Sequence, residues 1–287
     1  MFMWRVLIFL FCILWGTAAM SFETTFNQAT REKFKASINY PELVARKVAE
    51  KKVHLEWYKS FQKIVDKNDT EWRVEFGEPT LGHWGEGELR ATLTSHKGKA
   101  IMIITSLGGN WQQRLDYLIW KKSLTNRADV NLKVVPGVDD LYLIPKEGRG
   151  GISSATFLYG NLYVVVKQWD AGDIEALAKA THQLLKDHSH FIEAGRRPIF
   201  KITIDKLQVN VGDVVSVAVE GLVRNWDSDW VFNQPKELLS HDMEYLERRE
   251  NVFLLKAARK GKIKIPFAAM NKQTLYVEHQ EVEIEVK

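Results

Sequence analysis

From about residue 198 onward the helical period disappears and apolar residues alternate with polar ones, which constrains the fold more than any other feature of the chain. Val215, Val217 and Val219 alternate with Ser216, Ala218 and Glu220, the two-residue period of a strand with one buried face. Similar β-rich runs at 199–204, 207–211, 252–255, 262–268 and 274–286 are separated by turn signals at Gly212-Asp213, Gly261 and Asn271-Lys272. Several short strands in about 90 residues predict two packed sheets over 198–287. Within this stretch, Lys236 to Arg249 has helical rather than stranded character.

The preceding part mixes both periods. Strands are predicted at 72–76, 89–93, 100–105, 141–145, 153–159 and 162–169, the last two joined by the hairpin signal Gly160-Asn161. Two helices are predicted among them, one from Trp111 to Leu124 and one capped by Asp173 with Ile174, Leu177, Ala178, Leu184 and Leu185 as its apolar stripe. Upstream, Val44, Val48, Leu55, Tyr58, Phe61 and Val65 recur at helical spacing, predicting helix through about Lys67, with Asn39 near its cap and Pro41 in its first turn. The fold class is therefore α+β: a mainly antiparallel central sheet with flanking helices, then a C-terminal β-sandwich. The expected organisation is a leader at 1–19, a helical segment at 20–71 packing on an α+β domain at 72–192, and the sandwich at 198–287. Gly195-Arg196-Arg197-Pro198 reads as the linker. A length of 287 residues agrees with about two domains.

The N-terminus carries an address. Arg5 precedes ten apolar residues, Val6 to Trp15, and Thr17 and Ala19 fit the small-residue positions before a signal-peptidase cut. The run is shorter than the ~20 residues of a membrane span, so cleavage near Met20 and a periplasmic or extracellular mature chain are expected. An uncleaved membrane anchor is the alternative, and the one route to a membrane. Cleavage removes Cys12, the single cysteine, which excludes a disulfide framework and a cysteine-based zinc cluster. Forty basic against 36 acidic residues give a net charge of +4, too small at this length to imply a nucleic-acid partner.

Three stretches of the last third, Val209-Asn-Val-Gly-Asp-Val-Val-Ser-Val-Ala-Val-Glu-Gly221, Gly261-Lys-Ile-Lys-Ile-Pro-Phe-Ala-Ala269 and Glu281-Val-Glu-Ile-Glu-Val-Lys287, resemble bacterial immunoglobulin-like domains of cell-envelope proteins. The resemblance is architectural and lacks the cysteine pair of antibody-type domains. It implies a spacer or adhesive role rather than chemistry.

Candidate sites are few. His83 and Trp84 in a glycine-rich loop, Asn110 in Ser106-Leu107-Gly108-Gly109-Asn110, and Arg149 in a basic glycine loop are the candidate ligand-binding residues. For the glycine pair, a left-handed turn is expected rather than an anion site. Asn225, Asp227 and Asp229 place oxygen ligands at alternate positions, a candidate calcium loop, although Trp230 and Lys236 stand where an EF-hand needs Gly and Glu. His182, His188 and His190 with Asp187 and Glu193 are metal-ligand types, but His182 and His188 are six apart and fall on different helix faces. No G-x-S-x-G, S-x-x-K or H-E-x-x-H is present. A plain polar turn is the expected reading of the loop at 225–230 and calcium its alternative, so no cofactor is expected. The sequence thus points to an exported, non-enzymatic envelope protein that binds a ligand or a protein. The alternatives are a periplasmic hydrolase or other enzyme with an unrecognised central site, and a structural assembly component.

Overall fold

A computed structural model describes residues 28–36, 38–45, 52–56, 58–82, 86–108, 110–125, 133–135, 141–144, 153–169, 173–192, 200–221, 230–232 and 242–287. The leader segment and the linker at 193–198 lie outside them.

Helix α1 (28–36) is followed by α2 (Tyr40–Ala45). As expected, Asn39 caps α2, its carbonyl accepting from Leu43 N–H at 3.2 Å, and Pro41 lies in the first turn. The helix expected as far as Lys67 does not extend there. Its second half is replaced by β1 (Lys52–Leu55), a 3-10 turn (Tyr58–Ser60) and β2 (Lys63–Val65). Val53 and Leu55 alternate with half-buried Lys52 and His54, so the β period wins locally. Leu55, Tyr58 and Phe61 do reach the core, but from strand and turn, while Val65 is 48% exposed.

Strands β3 (Glu71–Phe76), β4 (Thr80–Leu81), β5 (Gly87–Ser95) and β6 (Gly98–Ser106) lead to α3 (Trp111–Thr125). Then come β7 (Lys133–Val135), β8 (Leu141–Ile144), β9 (Ser153–Tyr159), β10 (Leu162–Gln168), α4 (Ile174–Asp187) and β11 (Ser189–Ile192). A nine-stranded sheet runs β2-β3-β5-β6-β10-β9-β8-β7, with β4 beside β5, and every pairing is antiparallel. Strands β1 and β11 form a separate antiparallel ribbon. One sheet face buries Trp72, Leu93, Met102, Phe157 and Val164 with Leu177 and Leu185 of α4. The other buries Leu158, Tyr163 and Val165 with Leu115 and Leu118 of α3 and Phe34 and Leu43 from the N-terminal helices. Each fully buried leucine contributes ~1.5–3 kcal/mol, which explains why both helices stay on the sheet.

The last third folds into β12 (Phe200–Ile204), β13 (Gln208–Val209), β14 (Val214–Gly221), β15 (Trp230–Phe232), β16 (Met243–Arg249), β17 (Val252–Ala257), β18 (Gly261–Asn271) and β19 (Val277–Val286). They make two four-stranded sheets, β12-β14-β17-β16 and β13-β19-β18-β15. Val215, Val217, Val219, Phe253 and Leu255 of the first share an apolar core with Ile265, Phe267, Ile284 and Val286 of the second, an arrangement compatible with a β-sandwich. The helical character expected for 236–249 fails at β16. This is an edge strand with a bulge between Tyr245 and Glu247, and its Glu and Arg residues protect an exposed edge while imitating helix composition. Among the described residues no helix is long and apolar enough to cross a membrane.

Candidate functional site

Strand β18 changes character along its length. Lys262 and Lys264 are exposed between buried Ile263 and Ile265, but Phe267, Ala268, Ala269 and Met270 are all buried. Phe267 and Ala269 point into the C-terminal core, whereas Ala268 and Met270, with Leu275 and Val277, join the core of the nine-stranded sheet. Gly87 makes room for them, since a Cβ there would lie 2.5 Å from Met270 Sδ and 2.9 Å from Val277 Cγ2. A side chain at Gly87 would force the buried Met270 and Val277 side chains to shift.

Beside this junction is a cleft of about 480 Å³. Gln113 and Tyr117 of α3 form one wall, Leu107, Gly108, Pro266 and Phe267 supply backbone and apolar surface, and His279, Gln280 and Glu281 of β19 stand opposite, with Glu86 completing the lining. The α3 wall is set by a reciprocal capping box. Asn110 Oδ1 accepts from Gln113 N–H at 3.0 Å, and Gln113 Oε1 accepts from Asn110 N–H at 2.7 Å. Gly108 has no left-handed φ, and Gly109, the other half of the pair, lies outside the described residues. A Cβ on Gly108 would lie 3.0 to 3.3 Å from the His279 ring atoms, so a side chain there would press the imidazole back by a few tenths of an ångström.

Burial pushes the Tyr117 phenol above its ordinary pKa, and Glu86, Tyr163 and Glu88 add to the shift, so it stays protonated across the physiological range. Its ring meets Tyr163 edge-on at 5.4 Å. Glu281 pairs with Lys264 at 2.7 Å, and Gln280 Nε2 donates to the Phe200 carbonyl. Next along β19, Glu278 accepts from Tyr276 OH at 2.6 Å and stands 3.8 Å from Lys52 Nζ, which donates to the Val277 carbonyl at 3.2 Å. Burial lowers the Lys52 pKa, and Glu278 opposes that shift. Buried Asn161 ties the same end of the sheet together. It accepts from Val53 N–H at 2.6 Å and donates to Ser106 Oγ at 2.9 Å.

Asn110 therefore sits at the helix cap, and its partner Gln113 is the residue that lines the cleft. His83, Trp84 and Arg149 lie outside the described residues, as do Asn225, Asp227 and Asp229. The histidine group does not converge. His182 is buried edge-on between Phe157 and Tyr159, His188 ends α4, and His190 faces His54 across the ribbon at 4.5 Å with Glu56 3.2 Å away. Among the described residues no group of three or more His, Cys, Asp or Glu is arranged to hold a metal ion. Sequence reasoning missed Glu86, Gln113, Tyr117, His279, Gln280 and Glu281. Two signals pointed there: the Asn-x-x-Gln capping pattern at 110–113, and the run 267–270 that breaks alternation and marks burial on both faces.

No family model matches the sequence, and no curated protein matches it. Among solved structures, a polysaccharide lyase aligns with 83% of this chain at 9% identity and a TM-score of 0.22. The chain spans 39% of that protein's length, and so low a score carries no argument about fold or activity.

Proposed function

We propose that this chain is an exported, non-enzymatic binding protein whose ligand occupies the cleft between α3 and β19. The observation that carries the reading is the lining. Apolar Leu107, Pro266 and Phe267 are ringed by Glu86, Gln113, Tyr117, His279 and Gln280, the mixture of apolar surface and a few convergent polar groups typical of small-molecule sites. Gln113, Tyr117 and Gln280 set hydrogen-bonding groups beside the apolar surface, which favours a ligand that joins an apolar part to amine or hydroxyl groups. His83 and Trp84 remain candidate ligand contacts on the sequence argument alone. Arg149, and calcium at Asn225, Asp227 and Asp229, remain separate proposals.

The last third is read as an immunoglobulin-like sandwich. Lettering β12, β13, β14, β15, β16, β17, β18 and β19 as A, A′, B, C, D, E, F and G turns the two sheet orders into A-B-E-D and A′-G-F-C, with the A′ and G strands parallel. In this reading 198–287 is a presenting module that also supplies one wall of the site to the unit at 72–192. Export rests on Arg5, the apolar run Val6–Trp15 and the small residues Thr17 and Ala19.

One observation favours an enzyme as second reading: Tyr117, Glu86 and His279, residue types that can move protons, line the same cleft. A thermal-shift screen of amines, amino acids and polyols, each hit then assayed for turnover, separates the two. A raised midpoint without product supports the binding protein. Turnover abolished by Tyr117→Phe supports the enzyme and overturns it.

A further inference from the structure

The helices cover only part of the sheet face on which they lie. They bury Leu158, Tyr163 and Val165, but near the β5–β6 turn the same face leaves Thr92 and Thr94 exposed and Ile101 half-buried. Register puts these residues side by side, with Thr92 opposite Ile101, Thr94 opposite Lys99, and Ile101 opposite Lys167. Just beyond β10, Trp169 donates its backbone N–H to the Lys99 carbonyl at 3.2 Å and leaves 41% of its surface open. Thr92, Thr94, His96, Lys99, Ile101 and Trp169 line a groove of about 560 Å³ at the end of β6 remote from the α3–β19 cleft.

Charge decides what fits it. Lys97, Lys99 and Lys167 make no ion pair among the described residues, whereas the nearby carboxylates Glu75 and Glu88 are already engaged by Arg73 at 3.2 Å and Arg90 at 2.7 Å. Lys99 therefore brings to the groove an ammonium with no ion-pair partner among the described residues, with Lys97 and Lys167 close by in sequence and register, beside an exposed indole and two threonine hydroxyls ~7 Å apart along the strand. A complementary ligand needs negative charge, a flat apolar face for the indole and polar edges for the threonines. A sugar ring bearing a carboxylate meets all three: its C–H face packs on Trp169, its hydroxyls reach Thr92 and Thr94, and its carboxylate approaches the ammonium groups. Single-stranded nucleic acid is also anionic, but it binds by stacking successive bases on several rings, and here one indole stands beside hydroxyls. We propose that this groove is a second binding site, independent of the cleft, for an anionic polysaccharide carrying carboxylates.

The test titrates the full chain with carboxymethyl-dextran, unmodified dextran, polyglutamate and oligo-dT at about 0.15 M salt, where screening suppresses loose charge pairing. Saturable binding of carboxymethyl-dextran alone is expected. Trp169→Ala should weaken it by about tenfold at an unchanged melting midpoint, as loss of one aromatic anchor does, and Trp169→Phe should restore most of it. The double variant Lys99→Glu/Lys167→Glu should abolish it. Equal binding of polyglutamate or oligo-dT, equal binding of unmodified dextran, no effect of Trp169→Ala, or no binding of carboxymethyl-dextran would each overturn the proposal.

Discussion

Gly108 and Asp173 are single residues whose roles depend on what reaches them from elsewhere. At Gly108 the absence of a Cβ lets the His279 imidazole lie against the backbone where the β6–α3 connection meets β19. At Asp173 the side chain caps α4, accepting from Ala176 N–H at 2.9 Å, and pairs with Lys67 at 2.7 Å. Burial by itself would raise the Asp173 pKa, but Lys67 and the Ala176 N–H outweigh it, and the folded value is lowered. A lowered carboxyl contributes stability that is present above the unfolded pKa of about 3.9 and is lost as pH falls through the folded value. Asp173→Ala should therefore destabilise the chain by about 1 kcal/mol at pH 7, the usual cost of an N-cap. That difference should shrink below about pH 4 as the native carboxyl protonates. Urea denaturation at the two pH values measures it, and a pH-independent difference would refute the charged-cap account. The cap was legible in the sequence because its bonds are local. The seat for His279 was not, because its two halves are 171 positions apart, at 108 and 279.

Among the elements, the β9–β10 hairpin was readable from Gly160-Asn161, and Gly160 does turn at φ 57°. What the motif did not disclose is that the Asn161 amide fastens the β1–β11 ribbon to the end of β6. Replacing it with alanine leaves the buried Val53 N–H without its acceptor, so Asn161→Ala should cost ~1–3 kcal/mol. Hydrogen exchange at Val53 and Leu55 should accelerate before exchange in β5 and β6. Uniform acceleration across the sheet would mean that Asn161 does not hold the ribbon in particular. The misread elements share one cause. Around β1 and β2, apolar residues happened to fall at helical intervals while tertiary pairing imposed strands, and β16 used charged, helix-favouring residues to guard an edge. Strands buried on one face with polar alternation, such as β14, were read correctly because period and environment agree.

At the scale of the molecule, the larger sheet and the C-terminal sheets are joined by packing rather than by a linker alone. Ala268, Met270, Leu275 and Val277 lie in the same apolar cluster as Trp72, Met102 and Leu177. Met270, fully buried, should destabilise both parts together when truncated, with Met270→Ala costing ~2–5 kcal/mol. Calorimetry should show one transition in the parent chain, moving as a unit in the variant. Two separate transitions in the parent chain would contradict a shared core. Alternation and turns disclosed the sheets, but the cleft is assembled from Glu86 before β5, the β6–α3 connection, α3, β18 and β19, and the local patterns at 110–113 and 267–270 do not say that these segments meet. The most direct test of the cleft as the ligand site is backbone chemical-shift mapping of the isotope-labelled chain, titrated with amines, amino acids and polyols, with Gly108→Val as the blocked control. The account predicts saturable shifts centred on Glu86, Gln113, Tyr117, His279 and Gln280 that disappear in the control. Saturable shifts centred elsewhere, shifts retained by Gly108→Val, or no response to any member of the panel would contradict it.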